Sequence, residues 1–258
     1  VPGLIVMALL ALPFLGLGAC TGGVTVTDAG EITSWEFDFS GFTRLDISHA
    51  FKVDIVPADE YRVSIRVDRA VFEYLIVEQR GDTLRIGLES GNTYVATTQE
   101  ATVTLPALRE LRLSGASRAE VGMFAGATSL ELNLAGASVA DIETDVLENA
   151  VFDLSGASRV TGKLDTAELK LKLVSASTAD LDGAAAVIDL EGSGASTADL
   201  KDLAAATVSV DMSGASSASI MVSDRINATL REASVVSYLG DPKLGAIDIS
   251  GGSTIRAN

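Results

Sequence analysis

A four-residue phrase recurs through the second half of the chain, and its spacing limits the fold more than any other feature. The copies are Ser114-Gly115-Ala116-Ser117, Ala135-Gly136-Ala137-Ser138, Ser155-Gly156-Ala157-Ser158, Val174-Ser175-Ala176-Ser177, Ser193-Gly194-Ala195-Ser196, Ser213-Gly214-Ala215-Ser216, Arg231-Glu232-Ala233-Ser234 and Ser250-Gly251-Gly252-Ser253. Successive copies start 21, 20, 19, 19, 20, 18 and 19 residues apart. Repetition at a period near 20 signals an array of stacked units. On either side of each phrase apolar and polar residues alternate, as in Leu111-Arg112-Leu113 before the first and Ala119-Glu120-Val121 after it. A period of two belongs to a strand with one face inward and one face wet.

Three arrangements use such strands. A hairpin meander calls for Asn-Gly or Asp-Gly turns, which the repeats lack. A propeller needs four strands in each unit of about 40 residues. A solenoid stacks each copy over its predecessor at roughly 4.8 Å, which is what identical residues at a constant interval require. Parallel crossovers are right-handed by default. The expected fold is therefore all-β: a right-handed parallel β-helix-like solenoid of about eight coils over 106–258, preceded by a β-rich segment over 32–105, with 32–258 read as one continuous domain. The first segment alternates as well, in Phe42-Thr43-Arg44-Leu45-Asp46-Ile47 and Phe51-Lys52-Val53-Asp54-Ile55-Val56 among others, and holds Trp35, Phe37, Phe39, Phe42, Phe51, Tyr61, Phe72, Tyr74 and Tyr94. An aromatic core of this kind suits the cap of a solenoid, whose end coil otherwise exposes apolar surface and strand edges. His49, in Ser48-His49-Ala50-Phe51, reads as a turn histidine between two strands.

The phrase itself reads as a corner, since Gly and Ala let the backbone bend tightly with little side chain projecting. Its last residue forms a structural column, Ser117, Ser138, Ser158, Ser177, Ser196, Ser216, Ser234 and Ser253, whose hydroxyls are expected to donate and accept along the stack. Three positions later comes Glu120, Asp141, Thr161, Asp180, Asp199, Ser219, Ser237 and Arg256. The acids Glu120, Asp141, Asp180 and Asp199 are a weak candidate for Ca²⁺, which takes six to eight oxygen ligands. Thr161 interrupts them, so a solvated strand face and no metal is the expectation. Arg118 and Arg159 follow the column serine in the first and third copies, a feature that a polysaccharide-active β-helix enzyme could use.

Composition removes other classes. With 35 acidic against 19 basic side chains and a formal charge of −16, the chain cannot neutralise phosphates as nucleic-acid binders do. One Cys and one His leave too few ligands for structural zinc and rule out an internal disulfide. No GxSxG elbow accompanies the many serines, and the one histidine leaves no triad to assemble. No catalytic residue and no cofactor is expected.

Residues 1–19 carry no charge and run apolar through Ile5, Val6, Met7, Leu9, Leu10, Leu12, Phe14 and Leu15. That length suits an export signal and falls short of the roughly 20 apolar residues of a comfortable membrane span. Leu17-Gly18-Ala19-Cys20 follows and looks like a lipobox, which makes Cys20 the expected lipidation site, 1–19 the signal peptide and 20–31 the lipidated cysteine and tether. Thr21, standing where an Asp would favour inner-membrane retention, points to the outer membrane of a Gram-negative cell envelope.

Gly41-Phe42-Thr43-Arg44-Leu45-Asp46-Ile47, Phe51-Lys52-Val53-Asp54-Ile55, Asp82-Thr83-Leu84-Arg85-Ile86, Thr104-Leu105-Pro106-Ala107-Leu108 and the repeated Leu-x-Leu-Ser-Gly-Ala-Ser together resemble the bacterial head GIN domain family of the autotransporter-adhesin type, over roughly 37–255. The resemblance implies an exported β-helix-like protein, often a lipoprotein, with no catalytic residues to carry over. The expected function is a non-enzymatic cell-envelope lipoprotein that presents a rigid solenoid for adhesion or for a glycan or envelope-protein ligand. A polysaccharide-active enzyme and a purely structural envelope protein are the alternatives.

Overall fold

Wherever apolar and polar residues alternate, the chain is extended, and the inward residues of successive strands stack into columns. The computed structural model describes residues 23–27 and 30–258. The expected signal segment and Cys20 lie outside the described residues. The first strands are β1 (Thr25–Thr27), β2 (Ile32–Phe37), β3 (Arg44–Ile47), β4 (Lys52–Pro57) and β5 (Arg62–Asp68). After a 3-10 turn at Phe72–Tyr74 come β6 (Leu75–Arg80), β7 (Thr83–Leu88), β8 (Thr93–Val95), β9 (Gln99–Leu105), β10 (Glu110–Leu113), β11 (Arg118–Val121) and β12 (Ser129–Leu134). Four long bent strands follow, β13 (Val139–Leu154), β14 (Arg159–Val174), β15 (Thr178–Ser193) and β16 (Thr197–Met212). The chain then makes β17 (Ser217–Leu230), β18 (Val235–Leu239), β19 (Lys243–Ile249) and β20 (Thr254–Ala257).

Pairing from β10 onward is parallel and shifts by one coil at each step. The eight phrases mark eight corners and thus bound seven complete intervals, in accord with a solenoid of about seven turns. In space the earlier strands do not follow chain order. The outermost described coil on this side is made by β7 and β9; β3 and β4 sit between it and β10 and β11. Antiparallel strands close that end, β6 against β7, β5 against β9 and β2 outside β5. They cover backbone edges that a bare coil would leave open.

The core runs the length of the stack. Leu84, Leu45, Leu111, Leu132, Phe152, Leu171, Leu190 and Val210 form one continuous inward column, all buried. Each such side chain contributes about 1.5–3 kcal/mol by leaving water. Between legs of a coil the bend is set at Gly162, whose φ is +123° and whose missing Cβ leaves room for the carbonyl of Ile142 on the preceding coil.

Candidate functional site

Each phrase folds as a corner with two consecutive left-handed residues, as at Gly115 and Ala116 (φ +62° and +63°) or Gly194 and Ala195 (φ +68° and +64°). An Ala in this region is strained by about 1–2 kcal/mol. The strain is offset by a ladder in which the Ala N–H of one corner donates to the carbonyl of the next, as Ala116 to Gly136 and Ala195 to Gly214, both 2.8 Å. His49 and Ala50, with φ of +65° and +58°, make one more corner of the same kind, and the Ala50 N–H donates to Gly115 at 2.8 Å.

The column serines lie inside these corners. Ser117, Ser138, Ser158, Ser177, Ser196, Ser216 and Ser234 are buried; Ser253, at the end of the stack, is partly exposed. Their hydroxyls donate within their own corner, Ser117 to Ser114 O and Ser177 to Val174 O at 2.8 Å, Ser216 to Ser213 O and Ser234 to Arg231 O at 2.7 Å. Along the stack they accept: the Ser138 N–H donates to Ser158 Oγ and the Ser196 N–H to Ser216 Oγ, each at 3.2 Å.

Glu120, Asp141, Asp180 and Asp199 do share one register, with Thr161 between Asp141 and Asp180. The two ends of that register differ. Asp199 is held by Lys201 at 2.5 Å, and this hydrogen bond raises the lysine above its usual pKa. Glu120 is flanked on its other side by Asp54, so that Asp54, Glu120 and Asp141 stand on three adjacent strands. Two residues away on the same outer face run Lys52, Arg118, Val139 and Arg159. None of these three cations and three acids makes an ion pair or side-chain hydrogen bond among the described residues. Like charges directly opposite across strands repel. Lys52 faces Arg118 and Asp54 faces Glu120 in this way. Most other cations of the sheet are paired: Arg44 and Arg112 both reach the buried carboxylate of Glu110 on the opposite flank, and Arg66 meets Glu100 at 2.6 Å.

The charged face is not flat at this end. One open depression of about 340 Å³ is lined by Asp54, Pro57, Glu120, Asp141 and Glu143, and a second of about 210 Å³ by Ser34, Lys52, Asp54, Ser64 and Arg66. They meet at Asp54. Among the described residues no group of three or more His, Cys, Asp or Glu side chains is arranged to hold a metal ion. A small, partly open pocket of about 20 Å³ lies between Leu108, Phe124, Leu130 and Leu147, room for about one water molecule. Sequence reasoning found Glu120, Asp141, Arg118 and Arg159 but not Lys52 and Asp54, whose alternation with Val53 and Ile55 was the available signal.

His49 also has a perturbed environment. Its Nδ1 accepts from the Leu88 N–H at 3.3 Å and lies 2.9 Å from Ser48 Oγ. Burial, with Arg85 nearby, lowers its pKa below 6.5, so the ring is neutral and braces the first corner.

A family model described as "Putative auto-transporter adhesin, head GIN domain" matches residues 41–242. No curated protein matches the chain. Among solved structures, a putative adhesin from Parabacteroides merdae superposes with a TM-score of 0.81 at 16% identity, over 92% of this chain and 100% of that one. A putative adhesin from Parabacteroides distasonis gives 0.80 at 15%, over 91% and 100%. A protein from the same organism described as a putative lipid binding protein gives 0.78 at 16%, over 91% and 99%. At these identities the likeness is one of fold.

Proposed function

The chain belongs to the head GIN domain family, and from that premise we propose that it is a non-enzymatic cell-envelope lipoprotein, anchored through Cys20, whose rigid solenoid binds a glycan or an envelope protein. The observation that carries this reading is the acid row Asp54, Glu120 and Asp141 on three adjacent strands beside the like pair Lys52 and Arg118, in a row where Val139 separates Arg118 from Arg159 and Glu100 faces Lys52 on its other side. A fold that only needed to be stable would interleave these signs, because each like pair on adjacent strands costs free energy. A ligand that brings acceptors to the cations and donors to the acids relieves both rows at once. The family and the adhesin descriptions of the structural neighbours support a surface role, and uniform coils without long inserted loops support binding over catalysis.

The test is a screen of glycans and envelope proteins against residues 21–258, with release of sugars assayed in parallel. Arg118→Ala combined with Arg159→Ala is expected to weaken binding at least about tenfold, a change of 1.4 kcal/mol. Retention of full affinity in that variant, or catalytic release of sugar, contradicts the proposal.

A further inference from the structure

The end of the solenoid next to the anchor carries an aromatic belt. Val26 of β1 pairs with Tyr94 of β8, Tyr94 packs edge-on against Tyr74 with ring centroids 6.1 Å apart, and two residues before Tyr74 the ring of Phe72 stacks on Trp35 at 4.0 Å. At this end Val24, Val95, Ile32 and Trp35 are exposed, by 52%, 46%, 43% and 36%; strand alternation puts Val24 on the Tyr94 face of the β1–β8 pair and Val95 on the other, and Ile32 and Trp35 on opposite faces of β2. Trp35 is the chain's one tryptophan. The Tyr94 hydroxyl donates to Glu89 O at 2.9 Å, and Arg69 meets Glu31 at 3.1 Å.

Where this end must sit follows from chain length. Cys20 lies three residues before Gly23, where the described chain starts again. Three residues reach at most about 11 Å, whatever their conformation. A lipid on Cys20 therefore keeps Gly23 within that distance of the bilayer surface and Thr25, where β1 begins and pairs with Thr93 of β8, within about 18 Å. Tryptophan and tyrosine rings with a polar tip and an apolar body are the side chains that favour that depth. The opposite end, at β19, is nine strand spacings further along the stack, roughly 43 Å.

We infer that the coil bearing β1, β8 and the Phe72–Tyr74 turn lies against the lipid surface, with Val24 and Trp35 in the interface, so that the solenoid projects from the membrane with its charged face lateral and accessible. This rests on the anchor reading of Cys20 and adds to it a docking surface and an orientation. The occupant is a zwitterionic lipid surface, since the overall charge of −16 is repelled by anionic headgroups.

The single tryptophan makes the test direct. The full-length protein is processed in cells fed labelled fatty acid, and the purified lipoprotein is placed in phosphatidylcholine vesicles whose chains carry bromine. The expected result is acylation of Cys20, strong quenching of Trp35, and no quenching of a fluorophore attached at Leu244→Cys. Val24→Asp is expected to reduce the quenching while leaving acylation intact. Acylation without quenching of Trp35 overturns the orientation alone. Absence of acylation overturns the anchor reading and the orientation with it. A Trp35 emission shift that depends on protein concentration in vesicle-free Cys20→Ser protein assigns the patch to a second copy of the chain and also overturns the proposal.

Discussion

Met212 occupies the space that Gly192 leaves open on the neighbouring coil: the two residues pair in register, and a Cβ at Gly192 would collide with the Met212 sulfur. The inward column to which they belong is otherwise leucine at Leu113, Leu134, Leu154 and Leu173. Small and large residues thus alternate across one contact so that the column keeps its volume. Gly192→Ala is expected to cost about 1–3 kcal/mol by overpacking, and Met212→Ala about 2–5 kcal/mol by leaving a cavity. Combined, the two changes should cost less than their sum, because the new methyl group enters the space vacated by the sulfur. Denaturant melts of the four proteins in a double-mutant cycle measure the coupling.

The corner serines invite a smaller change. Ser177→Ala removes the 2.8 Å hydrogen bond to Val174 O inside a buried corner and leaves that carbonyl short of a partner. A loss of about 1–2 kcal/mol is expected. Thermal melting of Ser177→Ala beside Ser253→Ala, at the partly exposed end, checks that the cost follows burial.

His49 makes stability depend on pH. Burial, and secondarily the Arg85 charge nearby, lowers its folded-state pKa from the ordinary value of 6.5. A proton therefore binds the unfolded chain more readily than the folded one. The contribution of the neutral ring is fully present above pH 6.5 and is lost as pH falls from there through the folded value. Melting temperatures across this range are expected to fall faster for the parent than for His49→Asn, which tolerates the left-handed backbone and does not titrate.

The solenoid could be read from the sequence because each coil repeats the same physical problem, a tight corner between alternating legs, and solves it with the same residues. The register of Glu120, Asp141, Asp180 and Asp199 was legible for that reason. His49 was not recognised as a corner, because Phe51 stands where later corners have Ser and because β5 to β9 intervene before Ser114. The same intervening strands hide Lys52 and Asp54, which neighbour Arg118 and Glu120 in space but lie 66 residues earlier. The serine hydroxyls were expected to donate along the stack. They donate within their own corner, to the carbonyl three residues back, and accept along the stack.

The claim that the charged face is shaped for a ligand is tested most directly at Glu120. Its strand runs between those of Asp54 and Asp141 at the inter-strand spacing of roughly 4.8 Å, and it makes no ion pair among the described residues, so two like charges flank it directly. Glu120→Gln is therefore expected to raise the melting temperature at low salt, by an amount equivalent to about 0.5 kcal/mol and reduced by added salt, while weakening binding of the ligand found in the screen. A variant that melts lower than the parent and binds just as well would contradict the account, because Glu120 would then serve the fold and not the ligand.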